Sequence, residues 1–461
     1  MNGTRESDGG AAQHWQAPAA AGPVRASVRL PGSKSMTNRA LVLAALADGP
    51  GLITNPLRAR DTLLMAGALT ALGASVEDAP GGWRVSPGAA TPGAATGDAR
   101  VNVGNAGTVM RFVPPVAALT QAAVEFHGDA RASQRPIGPI IDGLREIGAV
   151  IEDHGRGAIP FTVHGTGSLA GGVITVDASA SSQFVSGLLL AAPRYDKGLE
   201  IRHRGPRAPS APHIAMTVQM LRDAGADVET DTQHAAGHGP GDGDGPGGDG
   251  PDTWFVRPGA IGSHTIAVQP DLVNSAPFLA AALVTGGTVT IDDWPATTSQ
   301  PAGQILDMFT RMGAVCELTA GRLTVTATGA IRGITADLSD VSEISPVLTA
   351  LAALADSPSE LTGIGHQRLQ ETDRLAALAR EINGLGGDVT ELSDGLRITP
   401  RPLRATRVFA SYDDHRLVMA AAVLGLAVPG VEVENAATVG KTFPEFPGLW
   451  AAMLAAPESA P

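Results

Sequence analysis

Six short polar segments of the chain combine residues that bind anions with residues that begin helices. Each precedes a stretch rich in Ala, Leu and Val, and they read GSKSMTNR (32–39), GNAGTVMR (104–111), SASSQF (179–184), QPDLVNS (269–275), DVSEIS (340–345) and SYDDHR (411–416). A helix N-terminus presents unpaired amides and a partial positive charge, which together attract anions. Ser, Asn, Asp and Gly are also ordinary N-caps, so capping alone is an alternative for each segment.

The same segments contain four basic residues, namely Lys34, Arg39, Arg111 and Arg416. Capping does not require them, and positive charge in a first turn opposes the helix dipole. We therefore expect an external anion to offset it. Of the 33 basic residues only Lys34, Lys197 and Lys441 are lysines. A lysine retained in an arginine-rich chain indicates a need for a compact ammonium group, with drift in codon usage as the alternative.

The overall charge and composition restrict the class of protein. The net charge of −13 argues against a nucleic-acid surface, because binding phosphates requires a basic excess. A small anionic substrate remains compatible with this charge, since a cleft can be positive inside a negative protein. The single cysteine, Cys316, excludes a disulfide framework. No uninterrupted apolar run predicts a membrane span or a secretory signal, so we expect a cytoplasmic protein.

Two alternating helix patterns must position the polar segments. One is an amphipathic helix that ends at a glycine and leads into a short strand, and it recurs around Gly73, Gly148, Gly225, Gly313 and Gly386. The other is the helix that follows each polar segment, whose apolar character all round is typical of a buried helix. The chain therefore consists of six copies of a two-helix α/β unit, which is longer than the repeats of solenoid proteins and indicates a duplicated small domain.

The six copies divide as three plus three, with a cleft between two domains as the expected ligand site. The domains are residues 32–267, with a flexible Gly-rich insertion at 234–252, and residues 23–31 together with 268–461. The N-terminal segment VRASVRL is expected to supply a strand that the last copy lacks. Residues 1–22 are interpreted as a disordered tail.

Seven blocks resemble the signature blocks of the EPSP synthase (3-phosphoshikimate 1-carboxyvinyltransferase) family. In the family's order they are GSKSMTNRALVLAAL, GNAGTVMR, QRPIGP, SASSQFVSGLLLAAP, ETDRLAALA, DDHRLVMA and GKTFPEF. The resemblance implies an inside-out α/β barrel of two domains with three repeated units each. It also implies transfer of the enolpyruvyl group of phosphoenolpyruvate to the 5-hydroxyl of 3-phosphoshikimate, with release of phosphate. This is a step of the shikimate pathway to chorismate and aromatic amino acids. The implied enzyme is a cytoplasmic monomer without metal or organic cofactor, without nucleic-acid or membrane partners, and a glyphosate target.

The resemblance assigns roles to individual residues. Glu343 matches the proton acceptor for the 5-hydroxyl, Glu371 matches the carboxylate beside the phosphoenolpyruvate methylene, and Lys34 matches a catalytic lysine that also shuttles a proton. The residues implied to bind 3-phosphoshikimate are Lys34, Ser35, Arg39, Ser181, Ser182, Gln183, Ser210, Glu343 and Gln370. Those implied to bind phosphoenolpyruvate are Lys34, Asn105, Gly107, Arg135, Gln183, Arg374, Arg416 and Lys441. Two separated carboxylates can divide the acid–base work.

Structural alternatives remain for both carboxylates. Glu343 would also suit the first turn of a helix as a dipole-favoured acid. Glu371 would also suit a surface ion pair with Arg374 at i,i+3. Gly107 leaves room beside phosphoenolpyruvate that glyphosate also needs, so we expect sensitivity to that inhibitor.

Five positions depart from the commonest family pattern. They are Glu343 for Asp, Gln370 for Lys or His, His213 for Tyr, His366 for Asn and Phe112 for Pro. A paralogue acting on another acceptor is therefore one alternative, and a non-catalytic binding protein of this fold is another. UDP-N-acetylglucosamine enolpyruvyl transferase shares fold and donor but usually has a cysteine on a mobile loop. Here Cys316 lies in a predicted strand.

Overall fold

Sheets of one topology repeat along the chain. The computed structural model describes residues 14–88, 97–231 and 252–455, and within these ranges five sheets have four strands, a parallel pair followed by two antiparallel neighbours. In spatial order the sheets are β14 (Thr265–Ala267), β3 (Gly51–Thr54), β5 (Gly82–Ser86) and β4 (Ser75–Ala79); β6 (Ala99–Asn102), β7 (Ala123–His127), β9 (Phe161–His164) and β8 (Val150–Glu152); β10 (Gly172–Val176), β11 (Leu199–His203), β13 (Thr253–Val256) and β12 (Val228–Asp231); β2 (Arg25–Arg29), β15 (Thr288–Asp292), β17 (Arg322–Ala327) and β16 (Ala314–Thr319); and β18 (Thr335–Asp337), β19 (Ser359–Thr362), β21 (Leu396–Thr399) and β20 (Asp388–Glu391).

Two kinds of helix alternate between the strands, as the sequence predicts. The helices that follow the polar segments are almost entirely buried: α1 (Lys34–Ala45), α3 (Gly107–Ala117), α5 (Gln183–Ala191), α7 (Ala276–Thr285), α9 (Ser345–Ala353) and α11 (His415–Ala427). The others have an exposed face: α2 (Arg60–Ala71), α4 (Gly138–Glu146), α6 (Ala211–Asp223), α8 (Ala302–Arg311), α10 (Arg374–Gly384) and α12 (Phe446–Ala455). None of the helices in the described ranges is both long enough and apolar enough to cross a bilayer.

The glycines that end the amphipathic helices have left-handed backbone conformations. The φ angles of Gly73, Gly148, Gly225, Gly313 and Gly386 are 102°, 101°, 87°, 109° and 94°. A side chain at such a position clashes with the backbone, whereas glycine adopts it freely. The predicted helix ends are thus confirmed, and each glycine turns the chain into the strand that follows.

The buried helices contribute to two separate hydrophobic cores. One core is built from residues between Met36 and Val268, and the other from residues between Ala17 and Leu30 together with residues from Leu272 to Met453. We refer below to lobe one (residues 32–268) and lobe two (residues 14–31 and 269–455).

The N-terminal segment of lobe two differs from its prediction. Strand β2, within VRASVRL, runs parallel to β15 in the sheet of the fourth unit and therefore does not complete the last copy. That copy is completed by β1 (Trp15–Gln16), which pairs antiparallel with β22 (Glu432–Val433). The interpretation of residues 1–22 as a disordered tail is thus wrong for residues 14–22. Residues 1–13 and nearly all of the predicted insertion at 234–252 lie outside the described residues.

Two adjacent segments carry the chain between the lobes. Gly32 forms an antiparallel bridge with Pro270, and the Ser33 amide donates to the Gln269 carbonyl over 2.8 Å. The Asp271 amide donates to the Pro31 carbonyl over 2.9 Å. Lobe one therefore enters and leaves at the same place and is inserted into lobe two.

The contact between α3 and α5 leads to a test of the packing that places the helix starts. A Cβ added at Gly187 in α5 would lie 2.3 Å from the Arg111 carbonyl oxygen in α3. We expect Gly187→Ala to destabilise lobe one by about 1–3 kcal/mol, since a buried backbone atom cannot move aside cheaply.

The matched control is Gly67→Ala in α2, where an added Cβ would meet no atom within 4 Å. This variant should be stabilised by roughly 0.4–1 kcal/mol, because alanine restricts the unfolded chain. Calorimetric melting of the two variants and the wild type measures both effects. Equal shifts of the two melting temperatures would contradict the packing argument.

Candidate active site

All six polar segments reach one cleft between the lobes. The cleft has an empty volume of about 910 Å³. Predicted site residues line it from both sides: Lys34, Ser35, Gly107, Arg135, Ser181 and Gln183 from lobe one, and Glu343, Gln370, Glu371, Arg374 and Arg416 from lobe two. Because each segment ends in a helix start, the cleft is surrounded by helix N-termini and their partial positive charges.

Five predicted site residues do not line this cleft. They are Arg39, Asn105, Ser182, Ser210 and Lys441. The Asn105 carbonyl and side-chain oxygens accept hydrogen bonds from Arg135 Nη1 at 2.5 and 3.1 Å. Lys441 Nζ donates to the Asp413 carbonyl over 2.6 Å. Ser182 is buried immediately before α5.

Arg39 braces the wall of the cleft from behind. Its side chain is 1% exposed, and Nη1 donates to the Ser35 carbonyl over 2.9 Å while Nη2 donates to the His213 carbonyl over 3.0 Å. Its Nε donates to Thr217 Oγ1 over 2.7 Å, and burial lowers the pKa of Arg39 to about 9. The structure therefore places this guanidinium inside lobe one, where it positions two backbone segments that border the cleft.

Two buried arginines on the lobe-one side have no carboxylate partner among the described residues. Arg111 donates to Gln183 Oε1 over 2.7 Å and to the Pro136 carbonyl over 3.1 Å. Burial lowers the pKa of both Arg111 and Arg135, and the charge of Arg135 lowers that of Arg111 further. In each residue the buried Nε lacks a hydrogen-bond acceptor within the described part of the chain. An unpaired buried charge is costly, so this wall is suited to an anion.

Gly107 gives the anion access to these two arginines. A Cβ at this position would lie 2.6 Å from Arg135 Nη2, 3.0 Å from Gln183 Oε1 and 3.1 Å from Arg111 Nη1. The first residue of α3 thus has no side chain where three polar groups converge. Any larger residue would displace them or occupy the space that they face.

The lobe-two wall is an ion-pair network. Arg374, at the start of α10, donates from Nε to Asp414 Oδ2 over 2.7 Å and from Nη2 to Oδ1 over 3.2 Å. Glu371 Oε2 lies 3.7 Å from Arg374 Nη2 and 3.0 Å from His415 Nδ1. Arg374 also donates to Gln370 Oε1. Since Arg374 is 2% exposed, its pair with Glu371 is buried and is not the surface bridge of the structural alternative.

Glu371 is ionised despite its burial. Burial would raise its pKa, but the contacts with His415 and Arg374 and the charge of Lys34 outweigh burial and hold the pKa well below the usual range. For His415 burial outweighs the attraction of Glu371 and lowers its pKa, so the neutral ring donates from Nδ1 to the carboxylate. The site therefore presents a carboxylate without a proton, held by a neutral imidazole and a guanidinium.

The same residues bear on metal binding. Ligand atoms of Glu371, Asp414 and His415 lie within 4.8 Å of one another. Arg374 donates to both oxygens of Asp414, so its guanidinium already provides the positive charge that a divalent ion would bring. The arrangement fits an ion-pair network better than a metal centre.

Lys34 lies between the two walls and has a partner that sequence reasoning missed. Its Nζ is 3.6 Å from Oδ2 of Asp61, and its amide donates to Asp271 Oδ2 over 3.0 Å. Burial raises the pKa of Asp61, against the opposing charge of Lys34. In the sequence, Asp61 is an ordinary acid in the first turn of an amphipathic helix, and no local signal separates it from other such acids.

Glu343 lies on the lobe-two side and contacts lobe one. Ser210 Oγ donates to Glu343 Oε1 over 3.3 Å, and His213 Nδ1 lies 3.5 Å from the same oxygen. Burial would raise the pKa of Glu343, but the positive charges of His213 and Arg416 outweigh burial and lower it to about 2. His366 Nε2 forms a hydrogen bond of 3.1 Å with Ser342 Oγ, beside Glu343. Three departures from the family pattern are thus neighbours here.

Known proteins share this chain's sequence pattern over nearly its whole length. Residues 18–450 match the model of the family described as EPSP synthase (3-phosphoshikimate 1-carboxyvinyltransferase). A 3-phosphoshikimate 1-carboxyvinyltransferase from Kocuria rhizophila is 49% identical over 448 residues, which cover 95% of this chain and 96% of that protein.

Solved structures share the fold. The EPSP synthase from Acinetobacter baumannii has a TM-score of 0.72 at 25% identity, covering 95% of this chain and 97% of that one. The enolpyruvyl transferase NikO from Streptomyces tendae has a TM-score of 0.67 at 18% identity, covering 95% and 96%, and shows the fold alone. The predicted α/β fold of the enolpyruvyl transferases is confirmed. From the family match and the 49% identity, the chain belongs to the EPSP synthase family.

Proposed function

We propose that this chain transfers the enolpyruvyl group of phosphoenolpyruvate to the 5-hydroxyl of 3-phosphoshikimate and releases phosphate. The observation that carries the proposal is the pairing of two unlike walls across one cleft. Buried arginines without carboxylate partners lie on one wall, and ionised Glu343 and Glu371 lie on the other. The family relatives and their printed activity support it. We further propose that the enzyme works in the cytoplasm as a monomer, without metal or organic cofactor.

Binding follows from the charge of each wall. Phosphoenolpyruvate carries a carboxylate and a phosphate, and we assign these to Arg111, Arg135 and Gln183 of lobe one and to Arg374 and Arg416 of lobe two. The 3-phosphate of the acceptor is assigned to Ser35 and Ser181, whose segments supply helix-terminal amides and hydroxyls. Both substrates thus lie where positive charge from the two lobes converges, and binding them offsets the cost of keeping that charge buried.

The chemistry requires two separate proton transfers. The hydroxyl loses a proton as its oxygen attacks C2 of phosphoenolpyruvate, and the methylene carbon gains one, which gives a tetrahedral intermediate. Glu343 draws the hydroxyl proton, since its carboxylate is ionised. Lys34 delivers a proton to the methylene carbon. In the second half Glu371 removes a proton from the resulting methyl group while phosphate leaves. The cations of both walls stabilise the negative charge on the departing phosphate.

The defining experiment is phosphate release by the purified chain with phosphoenolpyruvate and each of three acceptors. We expect release with 3-phosphoshikimate and none with unphosphorylated shikimate or UDP-N-acetylglucosamine. Release with UDP-N-acetylglucosamine alone would replace the proposal with the related transferase. An absence of release with all three would overturn it.

Replacing Glu371 tests its role as a proton-transfer group. Glu371→Gln keeps the size of the side chain and removes the carboxylate, so we expect kcat to fall by about 10²–10⁴. The control is Glu360→Gln, whose carboxylate pairs with Arg397 on the surface 2.9 Å away, and kcat should be unchanged. Steady-state phosphate release measures both variants. A loss of less than threefold in Glu371→Gln would exclude the assigned role.

Replacing Gly107 tests the phosphoenolpyruvate pocket. In Gly107→Ala the new methyl group would displace the Arg135 guanidinium, so we expect KM for phosphoenolpyruvate to rise about tenfold or more, as for the loss of one charged hydrogen bond. KM for 3-phosphoshikimate should change little, and inhibition by glyphosate should weaken. Gly138→Ala is the control, since an added Cβ there meets no atom within 4 Å. Equal KM values for phosphoenolpyruvate in the two variants would refute the pocket assignment.

A further inference from the structure

The Glu343 carboxylate is held by the lobe opposite to its own. It lies on a 3-10 helix (Ser342–Ile344) of lobe two, whereas Ser210 and His213, which contact its Oε1, belong to lobe one. Both contacts meet the same oxygen, so neither engages Oε2. The side chains of Ser210 and Ser342 also form a hydrogen bond of 3.1 Å across the lobes.

The lobe-one side of this contact is rigidly built. Ser210 has a left-handed φ of 54° immediately before α6, and its amide donates to the Ser339 carbonyl of lobe two over 2.7 Å. The His213 amide donates to the Ser210 carbonyl over 2.9 Å, and its own carbonyl accepts from Arg39. Nearby, Arg207 donates to both Asp340 oxygens over 3.0 and 3.1 Å. The first turn of α6 is thus fixed both to its own lobe and to the segment that carries Glu343.

A glutamate requires such support more than an aspartate does. Its carboxylate is separated from the backbone by one further rotatable bond, so more rotamers compete with the productive one. The His213 ring is buried and its pKa is lowered by burial, so that the neutral ring can donate from Nδ1 to the carboxylate. A fixed base matters because a displacement of about 1 Å from productive geometry can cost 10²-fold in rate.

We propose that His213 and Ser210 are positioning residues for Glu343: they hold Oε1 from lobe one, so that the carboxylate meets the acceptor hydroxyl only when the two lobes are together. The inference rests on the proposed function and extends it to two residues outside the proton transfers themselves. It also accounts for the co-occurrence of two departures, because His213 supplies the contact that the longer Glu343 requires.

The test compares His213→Leu with His213→Asn. Leucine fills the space without a polar atom, whereas the asparagine amide can donate from near the position of Nδ1. We expect His213→Leu to lower kcat about 10- to 100-fold with KM for 3-phosphoshikimate changed less than threefold. His213→Asn should recover most of the lost kcat. Ser210→Ala provides a second, smaller perturbation of the same oxygen and should lower kcat in the same direction.

A double-substitution cycle separates positioning from general damage. Asp at position 343 has a shorter side chain that the His213 ring does not reach, so His213→Leu should lower kcat less than threefold further in a Glu343→Asp background. The inference is overturned by an equal loss in both backgrounds. It is also overturned if His213→Leu raises KM while kcat is kept, because His213 would then bind substrate directly. If the wild type itself releases no phosphate, the proposed function fails instead.

Discussion

Positive charge held close together inside the protein is the constraint on which this structure depends. Six helix N-termini and several basic side chains converge on one cleft, and like charges at such distances repel strongly where water is scarce. On the lobe-one wall nothing in the described chain neutralises Arg111 and Arg135. The fold therefore keeps a local imbalance that only an anion corrects, and the all-round apolar helices behind the cleft supply the packing energy that maintains it.

The two lobes manage their arginines in opposite ways. Lobe two gives Arg374 a bidentate partner in Asp414, which fixes the guanidinium and, with Glu371, raises its pKa against the effect of burial. Lobe one lowers the pKa of its arginines by burial and holds them with carbonyl and amide oxygens instead. An oriented, neutralised wall is suited to proton transfer, and an under-neutralised wall is suited to binding. The separation lets one cleft do both without the carboxylates cancelling the binding charge.

Sequence reasoning succeeded where the physical cause is local. A glycine after a helix and a polar residue before one are read from a few neighbouring residues, and Gly73, Gly313 and the start of α1 were found in this way. It missed what tertiary packing decides. Arg39 belongs to the same polar segment as Lys34, yet its guanidinium lies inside lobe one because Thr217 and the His213 carbonyl accept its hydrogen bonds. The partners of β1 and β2, more than 250 residues away in the chain, have no local signature either.

The insertion of lobe one into lobe two has a consequence for how the chain is made. Strand β2 leaves the ribosome early, but its partner β15 follows only after all of lobe one. At roughly 5–20 residues per second that delay lasts tens of seconds, during which lobe one can fold by itself. Once folded, lobe one holds its two ends side by side at Gly32 and Pro270. A loop of over 200 residues then closes with little further loss of entropy, and nascent lobe two gains its first strand at the moment its second one arrives.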